Sequence, residues 1–261
     1  MENLNIALIG CGMIGREHIE RIQNRIRGAQ VVAVCDVFEE GAKKGAEIAG
    51  AGTKVYTDFN EAINDPDVNA VVVTTPGQFH KGPVLAAIKA GKPVFSEKPL
   101  ANTAADGKEI VEAEMDGGKH LVQVGFMRRY DPSYADAKAQ IDAGHIGKPY
   151  LVKATGLDPE ALVESCIKFS KTSGGIFIDA ASHDIDLMRW FLGGEVTEVY
   201  AAGTNFKHPE FAENGDTETG MAMLKFDNGT VAFLHVGRTA PHGYHTETEI
   251  VGTEAHIRVA G

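Results

Sequence analysis

The 261-residue chain is short of positive charge: 25 Lys and Arg stand against 36 Asp and Glu, for a net charge of −11. Phosphate backbones need a basic face, so nucleic acid is excluded as a main partner. The basic groupings that exist are small. Arg21, Arg25 and Arg27 fall at helical spacing and read as a solvated helix face, and Arg128-Arg129 is a lone pair. Cysteine is scarce too. Cys11, Cys35 and Cys166 are odd in number and form no C-x-x-C. That excludes a disulfide framework and a zinc cluster, and makes a reducing cytoplasm the expected location. No apolar run approaches a membrane span. Met1-Glu2-Asn3 lacks a basic n-region and the apolar stretch after it is cut by glycines, so neither a signal peptide nor a membrane partner is expected. Internal repeats and low-complexity segments are also missing.

What is present is an ordinary apolar fraction, 43%, enough for one large or two modest cores. Over residues 1–124, short apolar runs alternate with helical patterns. Leu4 to Ile9, Val31 to Cys35, Ala70 to Thr74, Pro93 to Ser96 and His120 to Val124 read as strands. Near-continuous apolar strands between helices predict a parallel sheet covered on both faces. From Gly125 the pattern changes. A helix over 132–143 precedes strand-like runs at 148–155, 196–206, 219–226, 230–236, 244–251 and 254–259, interrupted by a helix over 180–192. Asp227-Asn228-Gly229 is a hairpin signal. The expected fold is α/β: a domain of alternating strands and helices of the Rossmann type, 1–124, then an α+β domain, 125–261, with an open, mostly antiparallel sheet.

The first chemical signal is Gly10-Cys11-Gly12-Met13-Ile14-Gly15, which follows a strand and opens a helix. Gly10 allows the tight turn, Gly12 lets the backbone approach a pyrophosphate, and Gly15 lets helix and strand pack closely. The helix N-terminus, from Met13 and Ile14, offers free N–H groups to phosphates. Asp36 ends the second strand, placed to accept the adenosine ribose hydroxyls. A 2′-phosphate would meet like charge there, so NAD is expected over NADP. A purely structural turn and a flavin site share the same fingerprint and stay as lesser alternatives.

Further signals are Glu97-Lys98-Pro99 after a strand, then Ser173-Gly174-Gly175 leading into Asp179-Ala180-Ala181-Ser182-His183. Asp179 and His183, i and i+4, would share a helical face. Together these motifs resemble the glucose–fructose oxidoreductase/inositol dehydrogenase family (Gfo/Idh/MocA) over essentially the whole chain. Gly125-Phe126-Met127-Arg128-Arg129-Tyr130-Asp131-Pro132 looks like the inositol branch, whereas Leu157-Asp158-Pro159 departs from several branches. The resemblance implies a nicotinamide-dependent oxidoreductase acting on a sugar or cyclitol. It implies Lys98 as the essential lysine, Asp179 as the substrate-binding carboxylate and His183 as the acid–base histidine. It also implies substrate contacts from Arg128 and Tyr244, and cofactor contacts from Thr75, Pro76, Glu97 and Lys98. His80 reads either as a cofactor neighbour or as a helix-start residue.

The residue chemistry agrees independently. Oxidising a secondary alcohol needs a base near neutral pKa, and His183 supplies one. Lys98 can hold the hydroxyl and stabilise alkoxide character. Asp179 with His183 could instead be metal ligands, but no third ligand falls at fitting spacing, so no metal is expected. The competing class is a non-catalytic NAD-binding sensor, which would need no acid–base set. An open sheet needs cover, which points to a homo-oligomer. The resemblance also implies a longer chain, so these residues are expected to be a shortened form that keeps cofactor binding better than catalysis.

Overall fold

In a computed structural model, which describes residues 3–260, the chain divides into two compact units between Gly125 and Phe126. The first unit alternates strand and helix. Its elements are β1 (Leu4–Ile9), α1 (Met13–Arg25), β2 (Ala29–Cys35), α2 (Glu39–Ala49), β3 (Lys54–Tyr56), α3 (Phe59–Asn64), β4 (Ala70–Val73), α4 (Lys81–Lys89), β5 (Val94–Ser96), α5 (Ala104–Asp116) and β6 (Val122–Val124). The strands pair in parallel in the order β3-β2-β1-β4-β5-β6. The order reverses between β1 and β4, the crevice where such sheets bind ligands.

The apolar runs explain the layering. Ile6 and Leu8 of β1 join Ile19, Ile22 and Ala49 of α1 and α2 on one face. Ala7 and Ile9 join Ala62, Ile63, Val84, Ala87 and Ile110 of α3 to α5 on the other. A period of two with both sets apolar buries both faces. Leu8 and Ile19 are fully enclosed, each side chain contributing roughly 1.5–3 kcal/mol. In this unit α3 and α5 start on side-chain caps: Asp58 accepts the Asn60 N–H and Thr103 Oγ1 the Asp106 N–H.

The second unit holds α6 (Pro132–Asp142), β7 (Pro149–Pro159), α7 (Val163–Ser170), α8 (Ile176–Asp179), α9 (Ser182–Leu192), β8 (Val196–Thr204), α10 (Glu210–Glu213), β9 (Thr219–Phe226), β10 (Val231–Ala240), β11 (His245–Gly252) and β12 (His256–Ala260). The sheet order is β12-β11-β7-β10-β9-β8. Every pair is antiparallel except β7 with β10. Leu187, Met188 and Phe191 of α9 pack on Val152, Ala154, Leu224, Leu234 and Ile250 of the sheet. The Asp227-Asn228-Gly229 signal does join β9 to β10, with the Phe226 N–H donating to the Thr230 carbonyl at 2.9 Å.

Several expected bounds change, β7 among them, which runs on from 155 to Pro159. Strand β10 continues past Val236 to Ala240, because a register shift after Gly237 lets Ala240 pair with Pro159. The helix expected over 180–192 is α9, which starts only at Ser182, and α7, α8 and α10 join it between the strands, α8 ending just before it. The carbonyl of Ile176 takes the N–H groups of both Ala180 and Ala181, and Asp184 N–H then turns back to Ala181. The helical ladder breaks there, so Asp179 closes α8 while His183 lies in the first turn of α9.

Candidate active site

The glycine loop leaves β1 at Gly10 and enters α1 at Met13. A Cβ on Gly15 would stand 2.0 Å from the Gly10 carbonyl oxygen and 2.8 Å from Thr74 Oγ1. The helix therefore approaches the strand as closely as a missing side chain allows. Thr74 Oγ1 in turn donates to the Gly10 carbonyl at 2.7 Å and fastens the loop to β4. Around Gly12 the space is different: nothing lies within 4 Å of its Cβ position. The first turn of α1 carries no side-chain cap and no acidic residue. Met13 and Ile14 expose their side chains, leaving their N–H groups as the useful part.

Asp36 follows β2. Its Oδ2 accepts the Cys11 N–H at 2.8 Å and its Oδ1 the Phe38 N–H at 2.9 Å. Those bonds orient the carboxylate, and each oxygen keeps a further lone pair for a hydroxyl. Burial, with Asp36 adding to it, pushes the Cys11 thiol up to about 12, so the cysteine inside the loop is inert packing rather than a nucleophile.

The loop after β4 supplies the next residues. Thr75 Oγ1 is buried and has no hydrogen-bond partner among the described residues. Pro76 is exposed beside it. His80, the residue just before α4, is turned inward. It is 1% exposed, and its ring is used internally. Nδ1 lies 2.7 Å from the Pro99 carbonyl oxygen and Nε2 2.6 Å from that of Thr75. The ring thus ties the Thr75 loop to the Glu97-Lys98-Pro99 loop, whose Lys98–Pro99 bond is cis. Glu97 is held from α1: His18 Nε2 lies 2.7 Å from its Oε1, and its Oε2 accepts the Lys98 N–H at 3.2 Å. Burial alone would raise the Glu97 carboxyl, but the His18 bond and the charges of His18 and Lys98 outweigh it and leave the group below its ordinary range. Lys98 itself is half-buried at the end of this stretch.

In the second unit, Asp179 is half-buried at the end of α8. Its Oδ2 lies 3.4 Å from Nη2 of Arg238. His183 is also half-buried, its ring edge-on to Phe126 with centroids 6.3 Å apart. Tyr244 is 57% exposed in the turn between β10 and β11. Arg128 departs from expectation. Its guanidinium is buried and ion-paired with Asp184, itself wholly enclosed, and it lies over the Tyr134 ring. The pair commits part of its donor set to the second unit itself. Burial pushes the Asp184 carboxyl up from its ordinary range, with Arg128 opposing. Among the described residues no group of three or more His, Cys, Asp or Glu is arranged to hold a metal ion, and no helix is long and apolar enough to cross a membrane.

A model of an oxidoreductase family with an NAD-binding Rossmann fold matches residues 4–126, and one for the GFO/IDH/MocA C-terminal domain matches residues 134–258. The scyllo-inositol 2-dehydrogenase (NAD(+)) of Bacillus subtilis is 37% identical over 96% of this chain and 72% of its own. The chain belongs to the GFO/IDH/MocA oxidoreductase family. The inositol 2-dehydrogenase of Azotobacter vinelandii is 39% identical over 98% of this chain and 73% of its own. A crystal structure of scyllo-inositol dehydrogenase from Lactobacillus casei with bound NAD(H) and scyllo-inositol superposes with a TM-score of 0.91. It is 36% identical and covers 99% of this chain and 76% of that one.

The first unit is thus the NAD-binding Rossmann domain of a GFO/IDH/MocA oxidoreductase. The residues present fit that cofactor: the open space at Gly12, the uncapped start of α1 and the unpartnered Thr75 hydroxyl are what a dinucleotide would use. Four residues escape a reading of the sequence: His18, Thr74, Asp216 and Arg238. His18 and Thr74 act across long sequence separations that no local pattern encodes. Arg238 did leave a signal, a charged residue at the inward parity of an alternating strand (Leu234, Val236, Ala240).

Proposed function

We propose that the chain is an NAD-dependent inositol dehydrogenase that oxidises one secondary ring hydroxyl of a cyclitol to a ketone. The observation that carries this reading is the likeness to inositol 2-dehydrogenases across both units, with Lys98, Asp179 and His183 all in place. His183 takes the hydroxyl proton as general base. Lys98 donates a hydrogen bond to the same oxygen and stabilises its developing negative charge. Asp179 accepts a hydrogen bond from a neighbouring hydroxyl and so orients the ring, and Tyr244 adds a contact from its turn. When bound, NAD supplies the hydride acceptor. Gly10, Gly12, Gly15, the N–H groups of Met13 and Ile14, Asp36, Thr75, Pro76, Glu97 and Lys98 are assigned to holding it, with residues 1–124 as the cofactor domain and 125–261 as the substrate domain.

The commitment of Arg128 to Asp184 favours a neutral polyol over a sugar acid, whose carboxylate would want a free cation. A non-catalytic sensor would need no acid–base set, so it is the weaker reading. We assign the protein to the cytoplasm, which suits three free thiols. We also assign it a homo-oligomeric state. Tyr200, Met223 and Phe233 line up across β8, β9 and β10 on the exposed face of the sheet, an apolar row that a second copy would cover.

NADH formation against a panel of inositols, neutral sugars and sugar acids tests the reading. Turnover of myo- or scyllo-inositol is expected. Activity confined to sugar acids rules out the cyclitol, and NAD binding without turnover of any polyol rules out the enzyme. Lys98→Ala and His183→Ala should each lower kcat ~100-fold or more, with NAD affinity retained in His183→Ala.

A further inference from the structure

Strand β10 places Leu234, Val236 and Ala240 on the core face of its sheet, and the same face carries Arg238, 1% exposed. A guanidinium in an apolar layer is costly unless countercharges and hydrogen bonds surround it. Arg238 has both. Its Nη2 lies 3.4 Å from Asp179 Oδ2 and 3.3 Å from Asp216 Oδ2. Its Nη1 donates to the Cys166 carbonyl at 3.4 Å, and its plane lies near the enclosed Phe211 ring.

The two carboxylates bracket one short segment. Asp216 Oδ1 accepts the N–H of Ile176, the first residue of α8, at 2.8 Å, and also that of Thr217 at 2.8 Å. Asp179 is the last residue of α8. A helix of four residues cannot hold itself, because nucleation is unfavourable and the chain gains too few internal bonds. Its start is therefore fixed by Asp216, its end by Asp179, and one guanidinium nitrogen lies within reach of both.

We propose that Arg238 is a positioning residue for the reaction: by pairing with Asp179 and Asp216 at once, it holds the Asp179 carboxylate in the orientation that receives the substrate hydroxyl. This rests on the reading of Asp179 as the substrate-binding carboxylate. A lysine keeps the charge but not the planar fork, so it cannot serve both carboxylates and the Cys166 carbonyl with one geometry. Small misplacements of an orienting group are expensive in rate.

The test is a double-mutant cycle with Arg238→Lys, Asp179→Asn and the two together, read as kcat and KM for myo-inositol with saturating NAD. Arg238→Lys should lower kcat/KM by ~10-fold or more in the otherwise native protein. In the Asp179→Asn background it should change kcat/KM by less than ~2-fold, since the group it positions is gone. NAD affinity, measured by fluorescence titration, should stay within ~2-fold throughout, which a general loss of structure would not allow. Equal losses in both backgrounds, or no loss in either, overturn the proposal while leaving an impaired Asp179→Asn as support for the substrate role of Asp179. Wild-type kcat/KM in Asp179→Asn overturns that role and this proposal together. If Arg238→Lys melts below the assay temperature, Arg238→Met with Asp216→Asn enters the same cycle. That pair removes the guanidinium and one of its countercharges at once.

Discussion

Gly15 abuts Gly10: a Cβ added to Gly15 would stand 2.0 Å from the Gly10 carbonyl oxygen, whereas one added to Gly12 would meet nothing within 4 Å. Two glycines of one motif are thus required for different reasons. One is needed by the fold, the other by the ligand.

Gly15→Ala should therefore destabilise the first unit by about 1–3 kcal/mol, since backbone rather than a flexible side chain blocks the new methyl. Gly12→Ala should leave the melting temperature near that of the wild type while weakening NAD by ~10-fold or more, because the methyl fills the space a pyrophosphate needs. Thermal melts and NAD titrations on the two variants check this. Equal losses of stability would show that Gly12 too is a packing glycine.

Arg128 and Asp184 form an enclosed ion pair in the second unit, and Gly156 of β7 leaves room for it. A Cβ at Gly156 would lie 2.8 Å from Asp184 Oδ2 and 3.6 Å from Arg128 Nη2. Arg128→Met would leave the Asp184 charge buried without its partner, and should cost about 3–5 kcal/mol. Gly156→Ala should cost less, about 1–3 kcal/mol, by crowding the pair. Chemical denaturation measures both. A change in KM for inositol with unaltered stability in Arg128→Met would instead return Arg128 to the substrate.

Asp65 carries a pH dependence. Lys54 Nζ donates to its Oδ2 at 2.7 Å, and Tyr56 also donates to that oxygen. The Lys54 bonds, then that of Tyr56, hold the carboxyl down from 3.8 to about 2. The folded value is below the unfolded one, so the stabilisation is complete above the unfolded value and is lost as pH falls from about 4 to about 2. Asp65→Asn should flatten the fall of melting temperature over that window. An unchanged slope would assign the acid sensitivity to other carboxylates.

Much of the first unit was legible because its signals are local. Continuous apolar strands demand cover on both faces, and the glycine spacing before a helix needs no distant partner to be recognised. Lys98, Asp179 and His183 could be named from motifs, since each lies within a few residues of its own signature. The helix assumed to join Asp179 to His183 was wrong, because the doubly used Ile176 carbonyl is a backbone event that side-chain periodicity does not report.

The sequence by itself determined the two-part architecture, the dinucleotide loop with Asp36 and the acid–base residue types. Only the tertiary structure decided what the charged residues do. Arg128 looked available for a substrate until the fold enclosed it with Asp184. His80 looked available for a cofactor until both ring nitrogens met backbone carbonyls. Arg238 became meaningful once β10 carried it inward onto Asp179 and Asp216, residues 59 and 22 positions away in the chain. The physical reason is common to all three. An ion pair or hydrogen bond is fixed by distance and burial, and for partners far apart in sequence both are set by the packing of whole elements rather than by any local pattern.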